Sequence, residues 1–230
     1  RFWERMLATA SQARITPAQD GSVHVPSGVF FPDKVLSSSQ VKVLKEIGCK
    51  IITDDLRPFR TAVNQLGAPF LTFERLVALL GQAMPKQSAG SLQVDKERLE
   101  FFYRPLWGMV NEFLPEAPTS SLTMKAVVQR LREIPFIVTE DLYAVTVSQS
   151  YVTHGTLDAE RAALLLPRLA IASRQILEFP KIAPLIRQLE LGSVVSHISS
   201  MCATDPVEDV IGIEQSELRD LYAMFADLDR

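Results

Sequence analysis

A tight-turn signature near the N-terminus constrains the fold of this chain most. Asp20-Gly21 separates two short extended runs, at residues 14–17 and 22–25, and a further extended run follows at 29–32. An Asp-Gly pair readily adopts the positive φ angles that a two-residue hairpin turn requires. The pattern therefore predicts a β-hairpin over residues 14–25.

Helical spacing dominates most of the remaining chain. Apolar residues recur every three or four positions, and capping residues stand where helices would begin, as at Thr72, at Asp95 and at one of Ser37, Ser38 and Ser39. Pro105 lies inside the long helix predicted over 96–114 and should kink or break it, because proline lacks the backbone N–H that a helix interior uses. Helices should thus form the larger part of the structure.

A second pair of extended runs, rich in β-branched and aromatic residues, lies at 134–138 and 142–147. The acidic pair Glu140-Asp141 falls between these two runs, where a turn is expected. Together with the first hairpin, this pattern predicts an α+β fold that is predominantly helical and contains two small β-hairpin units.

The two hairpin regions resemble each other and predict a diverged tandem repeat. Aligning Asp20 with Asp141 gives an offset of 121 residues (141 − 20), although Leu142 then stands in the place of Gly21. Further along, Leu66-Gly67 matches Leu191-Gly192, and each pair is expected to end a helix. The predicted turn and repeat motif consists of Pro17, Asp20, Gly21, Gly67, Pro135, Asp141 and Gly192.

The repeat predicts a division of the chain into three segments. Residues 1–83 form a first unit of hairpin plus helices, and residues 132–230 form a second one. Residues 84–131 would serve as linker and connecting helices, since the stretch 84–94 has weak periodicity and contains Pro85 and Gly90.

Composition excludes several classes of protein. Hydrophobic residues make up 47% and charged residues 22% of 230 residues, which excludes a disordered tail, a collagen-like chain and a disulfide scaffold. The net charge of −3 argues against a nucleic-acid partner, because phosphate binding needs clustered positive charge. No run approaches the roughly 18 apolar residues of a membrane span. We expect a cytoplasmic protein, and a piece of a longer one rather than a processed complete chain.

The residue types that bind metals or act as nucleophiles are few and scattered. Cys49 and Cys202 have no second cysteine or histidine at ligand spacing, and Cys49 is expected to be a buried, inert thiol. His24, His154 and His197 lie far apart. The sequence therefore predicts neither a metal site nor a catalytic group nor a cofactor.

Two acidic pairs admit both a structural and a chemical interpretation. Asp54-Asp55 and Glu140-Asp141 could in principle act as general acids and bases. Each pair lies at a turn or a helix start, where carboxylates bind unpaired backbone N–H groups. The structural interpretation is therefore the prediction.

The aromatic residues in the long helix and the C-terminal segment leave their partners open. Helical spacing predicts that Phe101, Phe102, Tyr103 and Trp107 belong to the core, and the alternative is a surface for a protein partner. The segment 209–230 is predicted to be an acidic amphipathic helix, which either closes this domain or packs on another one.

One motif carries a resemblance to a known family. Its elements are an apolar-Pro strand, an Asp-Gly turn, a short strand, a Ser followed by aromatics and Pro, and a Leu-Gly pair. They stand at Ile15-Thr16-Pro17, Asp20-Gly21, Val23 to Val25, Ser27, Phe30-Phe31-Pro32 and Leu66-Gly67. At these residues the chain resembles the repeat regions of sacsin-like proteins. The likeness covers about residues 13–80, and residues 132–200 more loosely.

Sacsin-like proteins are large multidomain proteins with a GHKL-type ATPase domain, the class shared by gyrase, heat-shock chaperones, histidine kinases and MutL. The resemblance implies a position after that ATPase. The nucleotide site itself is not expected here, since the chain has no glycine-rich cluster to hold phosphate. In the related chaperones a basic residue of the following domain reaches the γ-phosphate, and Arg14, Arg57 and Arg60 are formal candidates for such a role.

The resemblance therefore implies a non-catalytic internal module of a larger, chaperone-type protein. Its role would be as a scaffold, as an interdomain coupler, or in binding a client or partner. Its partners would be other domains of the same chain or another protein, with no nucleic acid and no membrane. The alternative is a stand-alone helical adaptor that binds a protein partner, and an enzyme without a recognisable motif is a third interpretation.

Overall fold

The computed structural model describes residues 2–32, 34–84, 92–116, 121–153, 159–166, 169–204 and 215–228. The chain divides into two compact units. Unit 1 consists of Arg1–Lys86 and Glu100–Leu131, and unit 2 consists of Gln87–Leu99 and Arg132–Arg230. The predicted connecting segment 84–131 is thus shared between the two units.

Helices form most of the regular structure, and the strands of the described residues are two or three residues long, which confirms the predicted α+β, mainly helical fold class. The helices are α1 Phe2–Gln12, α2 Ser38–Glu46, α3 Arg60–Gln65, α4 Phe73–Ala83, α5 Lys96–Arg98, α6 Arg104–Phe113, α7 Leu122–Arg132, α8 Ala159–Leu165, α9 Leu191–Thr204 and α10 Gln215–Leu228. The strands are β1 Thr16–Pro17, β2 Val23–His24, β3 Phe31–Pro32, β4 Phe70–Leu71, β5 Leu92–Gln93, β6 Ile137–Val138, β7 Tyr143–Val145, β8 Tyr151–Val152 and β9 Arg187–Gln188.

Capping explains where several helices begin. The Ser37 hydroxyl accepts from the backbone N–H of Gln40 while the Gln40 side chain accepts from the backbone N–H of Ser37, so a capping box starts α2. Thr72 caps α4 and Asp95 caps α5 through their side-chain oxygens. Thr72 and Asp95 are the caps that the sequence predicts, and Ser37 is one of its three candidates for α2.

Pro105 disturbs the long helix as predicted, but the disturbance is a change of helix type. A π-helical segment, Leu99–Tyr103, separates α5 from α6, and Pro105 lies in the first turn of α6. A proline ring clashes with the carbonyl group four residues earlier, and widening the preceding turn removes that clash.

Unit 1 builds its core around a hairpin and residues 50–53, which run back alongside the hairpin and which we call the returning segment. β1 and β2 pair antiparallel, and β3 and β4 pair parallel. Isolated bridges join Ile51 to Phe30 and Ile52 to Ala18, so one buried segment connects the hairpin to β3. The buried cluster at this junction contains Ala18, Val29, Phe31, Ile52, Val63 and Ala68. In the same unit α6 packs against α2.

Unit 2 follows the same order of elements. β6 and β7 form the hairpin, β8 and β9 pair parallel, and bridges join Ile171 to Tyr151 and Ala172 to Thr139. Its buried cluster contains Ala159, Ala162, Ala163, Leu166, Leu169, Ile171, Leu189, Val194 and Met224. α10 packs against α8, with Met224 buried, so this helix closes unit 2.

The backbone hydrogen bonds of unit 1 recur in unit 2 at an offset of 121 or 120 residues. Gln19 donates to the Ile51 carbonyl in unit 1, and Glu140 donates to the Ile171 carbonyl in unit 2. The pairs Phe30-Lys50 and Tyr151-Ala170, Ile52-Phe30 and Ala172-Tyr151, and Thr53-Pro17 and Ser173-Val138 correspond in the same way. The two units therefore share one backbone plan.

Leu142 occupies its turn in the conformation that Gly21 has in the first hairpin. The φ angles are +81° at Gly21 and +61° at Leu142, and both backbone N–H groups donate to the third residue back. Positive φ is uncommon for a side chain such as leucine. The absence of glycine at position 142 therefore leaves the turn geometry unchanged.

Two residue matches of the predicted repeat are wrong, and the first is that of Pro17 with Pro135. The Pro17 carbonyl accepts the same hydrogen bond as the Val138 carbonyl, so Val138 is its equivalent. Pro135 lies in the turn that Arg14 occupies in unit 1, because the flanking residues form the bonds Ile15 to Ala13 and Phe136 to Ile134.

The Leu-Gly pairs do not correspond either. Leu66-Gly67 follows α3, and Gly67 has a φ of +101°, as expected for a helix end. Leu191-Gly192 instead begins α9. Phe70 of β4 pairs with Phe31, and Gln188 of β9 pairs with Val152, which is the equivalent of Phe31. β4 and β9 thus correspond at an offset of 118 residues (188 − 70), and Leu66-Gly67 falls on Pro184-Leu185.

Candidate functional site

A polar cluster lies on the first hairpin. The Asp20 carboxylate accepts hydrogen bonds from the Ser22 backbone N–H at 3.0 Å, from the Ser22 hydroxyl, and from Lys50 Nζ at 2.7 Å. Ser22 Oγ also lies 2.6 Å from His24 Nε2. Ser22 and His24 share one face of the strand because alternate residues point the same way. Lys50 comes from the returning segment beside the turn.

These contacts stabilise the charged form of Asp20. The hydrogen bonds from Lys50 and then from Ser22 hold the pKa of Asp20 well below its usual range. The carboxylate is exposed, so the cluster belongs to the surface of unit 1.

The directions of the hydrogen bonds in this cluster are those of a group that stabilises the turn, and not those of a nucleophilic site. The Ser22 hydroxyl has a single hydrogen, which it donates to Asp20. His24 Nε2 must then donate to Ser22 Oγ, and a histidine that donates to a serine cannot remove its proton. The cluster fixes the Asp-Gly turn to the returning segment, with Lys50 neutralising the carboxylate.

Unit 2 has different side chains at these positions. Asp141 is exposed in the second turn, and Tyr143, Val145 and Ala170 stand where unit 1 has Ser22, His24 and Lys50. Glu140 instead accepts a hydrogen bond from the Arg174 backbone N–H at 2.5 Å, at the start of a 3₁₀ helix. Binding of an unpaired N–H by a carboxylate is the structural role that the sequence predicts for this acidic pair.

The aromatic residues proposed as a partner surface are mostly interior. Phe102, Tyr103 and Trp107 are buried, whereas Phe101 is 71% exposed. A partner surface needs exposed side chains, so the first three do not form one. Helical spacing places Phe101 on the outer side and its neighbours on the inner side of the same helix.

Two of the three candidate arginines have partners in their own unit. Arg57 forms an ion pair with Asp54 at 2.8 Å, and Arg60 lies over the Phe70 ring at 5.3 Å from its centroid. Arg14 is exposed in the turn after α1. None of these contacts selects an arginine for a distant nucleotide.

The remaining candidate groups for chemistry are the cysteines and the other histidines. Cys49 is buried, and burial raises the pKa of its thiol to about 12, as expected for an inert cysteine. His154 and the Cys202 side chain lie outside the described residues. His197 lines a shallow polar pocket of about 480 Å³ on α9 with Glu190, whose walls also include three serines. Among the described residues, no group of three or more His, Cys, Asp or Glu side chains could hold a metal ion.

The most distinctive surface of unit 1 is apolar. A groove of about 450 Å³ runs along α1 and is lined by Arg5, Met6, Thr9, Ala10, Ala13 and Ile15. Beside it on the hairpin, Val23 of β2 is 47% exposed. In the described residues β2 pairs with β1 alone, so its outer edge is open.

Sequence reasoning did not identify this groove, although a signal was present. Five of the six residues that line the groove have apolar equivalents 121 positions later, including Val127, Leu131 and Phe136. Extending the repeat alignment toward the N-terminus would have paired α1 with α7 and shown one apolar face twice.

Comparison with protein-family models, with curated proteins and with solved structures gives no match. None of the described helices is long and apolar enough to cross a membrane.

Proposed function

We propose that this chain is a non-catalytic internal module of a larger protein of the sacsin-like, GHKL-ATPase-associated class. Its role is that of a scaffold and interdomain coupler, with a surface that binds a client or partner. The proposal places the module in the cytoplasm and assigns it no nucleotide or other cofactor of its own.

The observation that supports this proposal most is the use of the family-like motif as a structural unit. Asp20-Gly21 forms the tight turn, and the backbone of that turn, its hairpin and its returning segment recurs in unit 2. A module made of repeated non-catalytic units provides surfaces and spacing, which are the properties a scaffold needs.

The chemistry of the described residues is consistent with this role. The polar cluster around Asp20 stabilises a turn, the carboxylate of Glu140 caps a helix, and Cys49 is an inert thiol. The exposed groups that remain distinctive are the apolar groove along α1 and the open edge of β2.

The open reading frame provides the first test. We expect the coding sequence upstream of Arg1 to encode a GHKL ATPase fold. A reading frame that begins near Arg1 would overturn the proposal. A second test measures ATP hydrolysis by the full-length protein and by a version with Phe136→Ala, which disrupts the second hairpin. If the chain couples domains, the full-length Phe136→Ala protein should hydrolyse ATP at a changed rate. If the chain is only an adaptor, adding the isolated chain to the ATPase fragment should leave the rate of ATP hydrolysis unchanged.

The exposed apolar groove favours the adaptor as a second candidate function, because it offers a partner surface without any ATPase. An adaptor captures one specific partner when isolated and leaves ATP hydrolysis unchanged in trans. Titration of the isolated chain with Mg-ATP separates both candidates from an ATP-using enzyme, since neither candidate should release binding heat.

A further inference from the structure

The two hairpins differ in their outer edge. In unit 2 a third strand, β5, pairs antiparallel with β7, so that the sheet has the order β5-β7-β6. Leu92 lies opposite Ala144, and the Val94 N–H donates to the Leu142 carbonyl at 2.7 Å. The equivalent residues of unit 1 are Val23 and Gly21, on the edge of β2 that is open in the described structure.

The backbone of Val23 faces this open edge. Val23 lies opposite Pro17, which has no N–H to donate, so the two residues form a pair without mutual hydrogen bonds. In an antiparallel ladder, the N–H and C=O groups of such a residue point to the other side of the strand. Unit 1 therefore presents a strand edge of the same register that β5 occupies on unit 2.

Side chains on α1 and just after it are also more exposed than their equivalents in the second copy of the repeat. Met6 of α1 is 47% exposed, whereas its equivalent Val127 is 4% exposed. Ile15 is 49% exposed, whereas its equivalent Phe136 is completely buried. Four of the six groove residues, Met6, Ala10, Ala13 and Ile15, thus have buried equivalents in the second copy of the repeat, which are Val127, Leu131, Ile134 and Phe136.

We propose that the β2 edge and the α1 groove form a docking site for a strand-then-helix segment from a further copy of this repeat. The segment is the equivalent of residues 92–99, in which β5 leads into Asp95 and α5. This inference deepens the proposed function, and rests on its partner-binding role, by naming the partner as a second copy of the module.

The chemistry of the site specifies the segment. An open strand edge binds an extended backbone, and side-chain pockets beside it select apolar residues at alternate positions. In the 92–99 segment Val94 and Leu99 are buried and provide such anchors. The sequence carries the same spacing of apolar and acidic residues at Ile211, Ile213, Glu214 and Leu218, so a second copy of the chain brings this sequence pattern twice.

Binding of a labelled peptide of residues 92–103 to the full chain tests the proposal. We expect saturable binding by fluorescence anisotropy and a shift of the Val23 amide resonance. A control peptide with Val94→Asp and Leu99→Asp should bind at least about tenfold more weakly, because it lacks both buried anchors. Equal binding of the two peptides, or no binding of either up to about 1 mM, would overturn the proposal.

Protein variants locate the site. Met6→Asp and Ile15→Asp place a charge in the groove and should each weaken binding at least about tenfold. Val35→Asp is the matched control, since Val35 is an exposed apolar residue of unit 1 outside the groove. Circular dichroism verifies that all three variants fold. Unchanged affinity of both groove variants would overturn the docking site, and the open-reading-frame test of the proposed function is independent of that result.

Discussion

The two hairpins of this protein share a backbone plan and differ in what surrounds it. The first hairpin carries the polar Asp20 cluster, and its outer edge is open in the described structure. The second hairpin has an added strand, β5, and its central residue Ala144 is fully buried, whereas Val23 at the same place is exposed.

This difference shows which parts of the repeat are set by the backbone and which by side chains. The turn geometry persists although glycine is replaced by Leu142, because backbone hydrogen bonds fix it in both units. The surface chemistry does not persist, since the positions of Ser22, His24 and Lys50 carry other residues in unit 2. Repeats can keep a fold while exchanging the surfaces that bind partners.

The largest expected effect is a difference in the loss of stability between two equivalent positions, Phe136, which is buried, and Ile15, which is half exposed. Phe136→Ala should lower the free energy of unfolding by about 3–5 kcal/mol, because it removes a buried aromatic ring. Ile15→Ala at the equivalent position should cost less than about 1 kcal/mol, since Ile15 is half exposed. Urea unfolding followed by circular dichroism measures both, and similar losses would contradict the assignment of equivalent positions.

The second comparison concerns the two turns. The protein with glycine at position 21 should be more stable than the protein with alanine there by about 1 kcal/mol, because this position has a positive φ. A similar difference is expected at position 142, where φ is also positive. A Cβ atom at position 21 meets nothing within 4 Å, so the cost comes from the backbone alone. Gly21→Ala, Leu142→Ala and Leu142→Gly, compared by thermal unfolding, provide the measurement. Alanine equal to glycine at position 142 would show that the turn there is different.

The third comparison concerns the two Leu-Gly pairs, where alanine substitutions should change stability in opposite directions. Gly67→Ala should lower stability by about 1 kcal/mol because Gly67 has a φ of +101°. Gly192→Ala should raise stability by about 0.5 kcal/mol, since this residue lies in the first turn of α9, where alanine is the better helix former. If both substitutions changed the free energy of unfolding in the same direction in this assay, Gly67 and Gly192 would not have the distinct roles assigned to them.

The smallest effect is confined to acidic pH. The pKa of Asp20 in the folded protein lies below its ordinary value of 3.8, so its contribution to stability is present above that pH. The contribution is lost as the pH falls further, through the pKa of the folded state. An NMR titration of the Asp20 carboxyl carbon should show a midpoint well below 3.8, and Lys50→Met should raise it. An unchanged midpoint in the Lys50 variant would exclude Lys50 as the main cause.

Local signals in the sequence predicted much of the fold. Ser37, Thr72 and Asp95 cap helices as their residue types require, and Asp20-Gly21 forms the expected tight turn. These features depend on a few neighbouring residues, and their physical chemistry is therefore readable from a short stretch of chain.

The repeat was harder to align than to detect. Pro135 and Gly192 are common residue types whose match to Pro17 and Gly67 was accidental, because the true equivalents are defined by hydrogen bonds and not by identity. For the aromatic residues, helical spacing favoured the core, and this prediction is confirmed for Phe102, Tyr103 and Trp107, whereas Phe101 is exposed.

By itself, the sequence determined the α+β class, the hairpin turn, the main helix starts and the inert character of Cys49, because each follows from local propensity or from a lone residue's chemistry. Only the tertiary structure decided that Leu142 adopts the conformation of Gly21, that Trp107 is interior, and that β5 pairs with the second hairpin. Those outcomes depend on contacts between residues distant in the chain, and a sequence pattern does not specify which distant segment completes an edge or covers a groove.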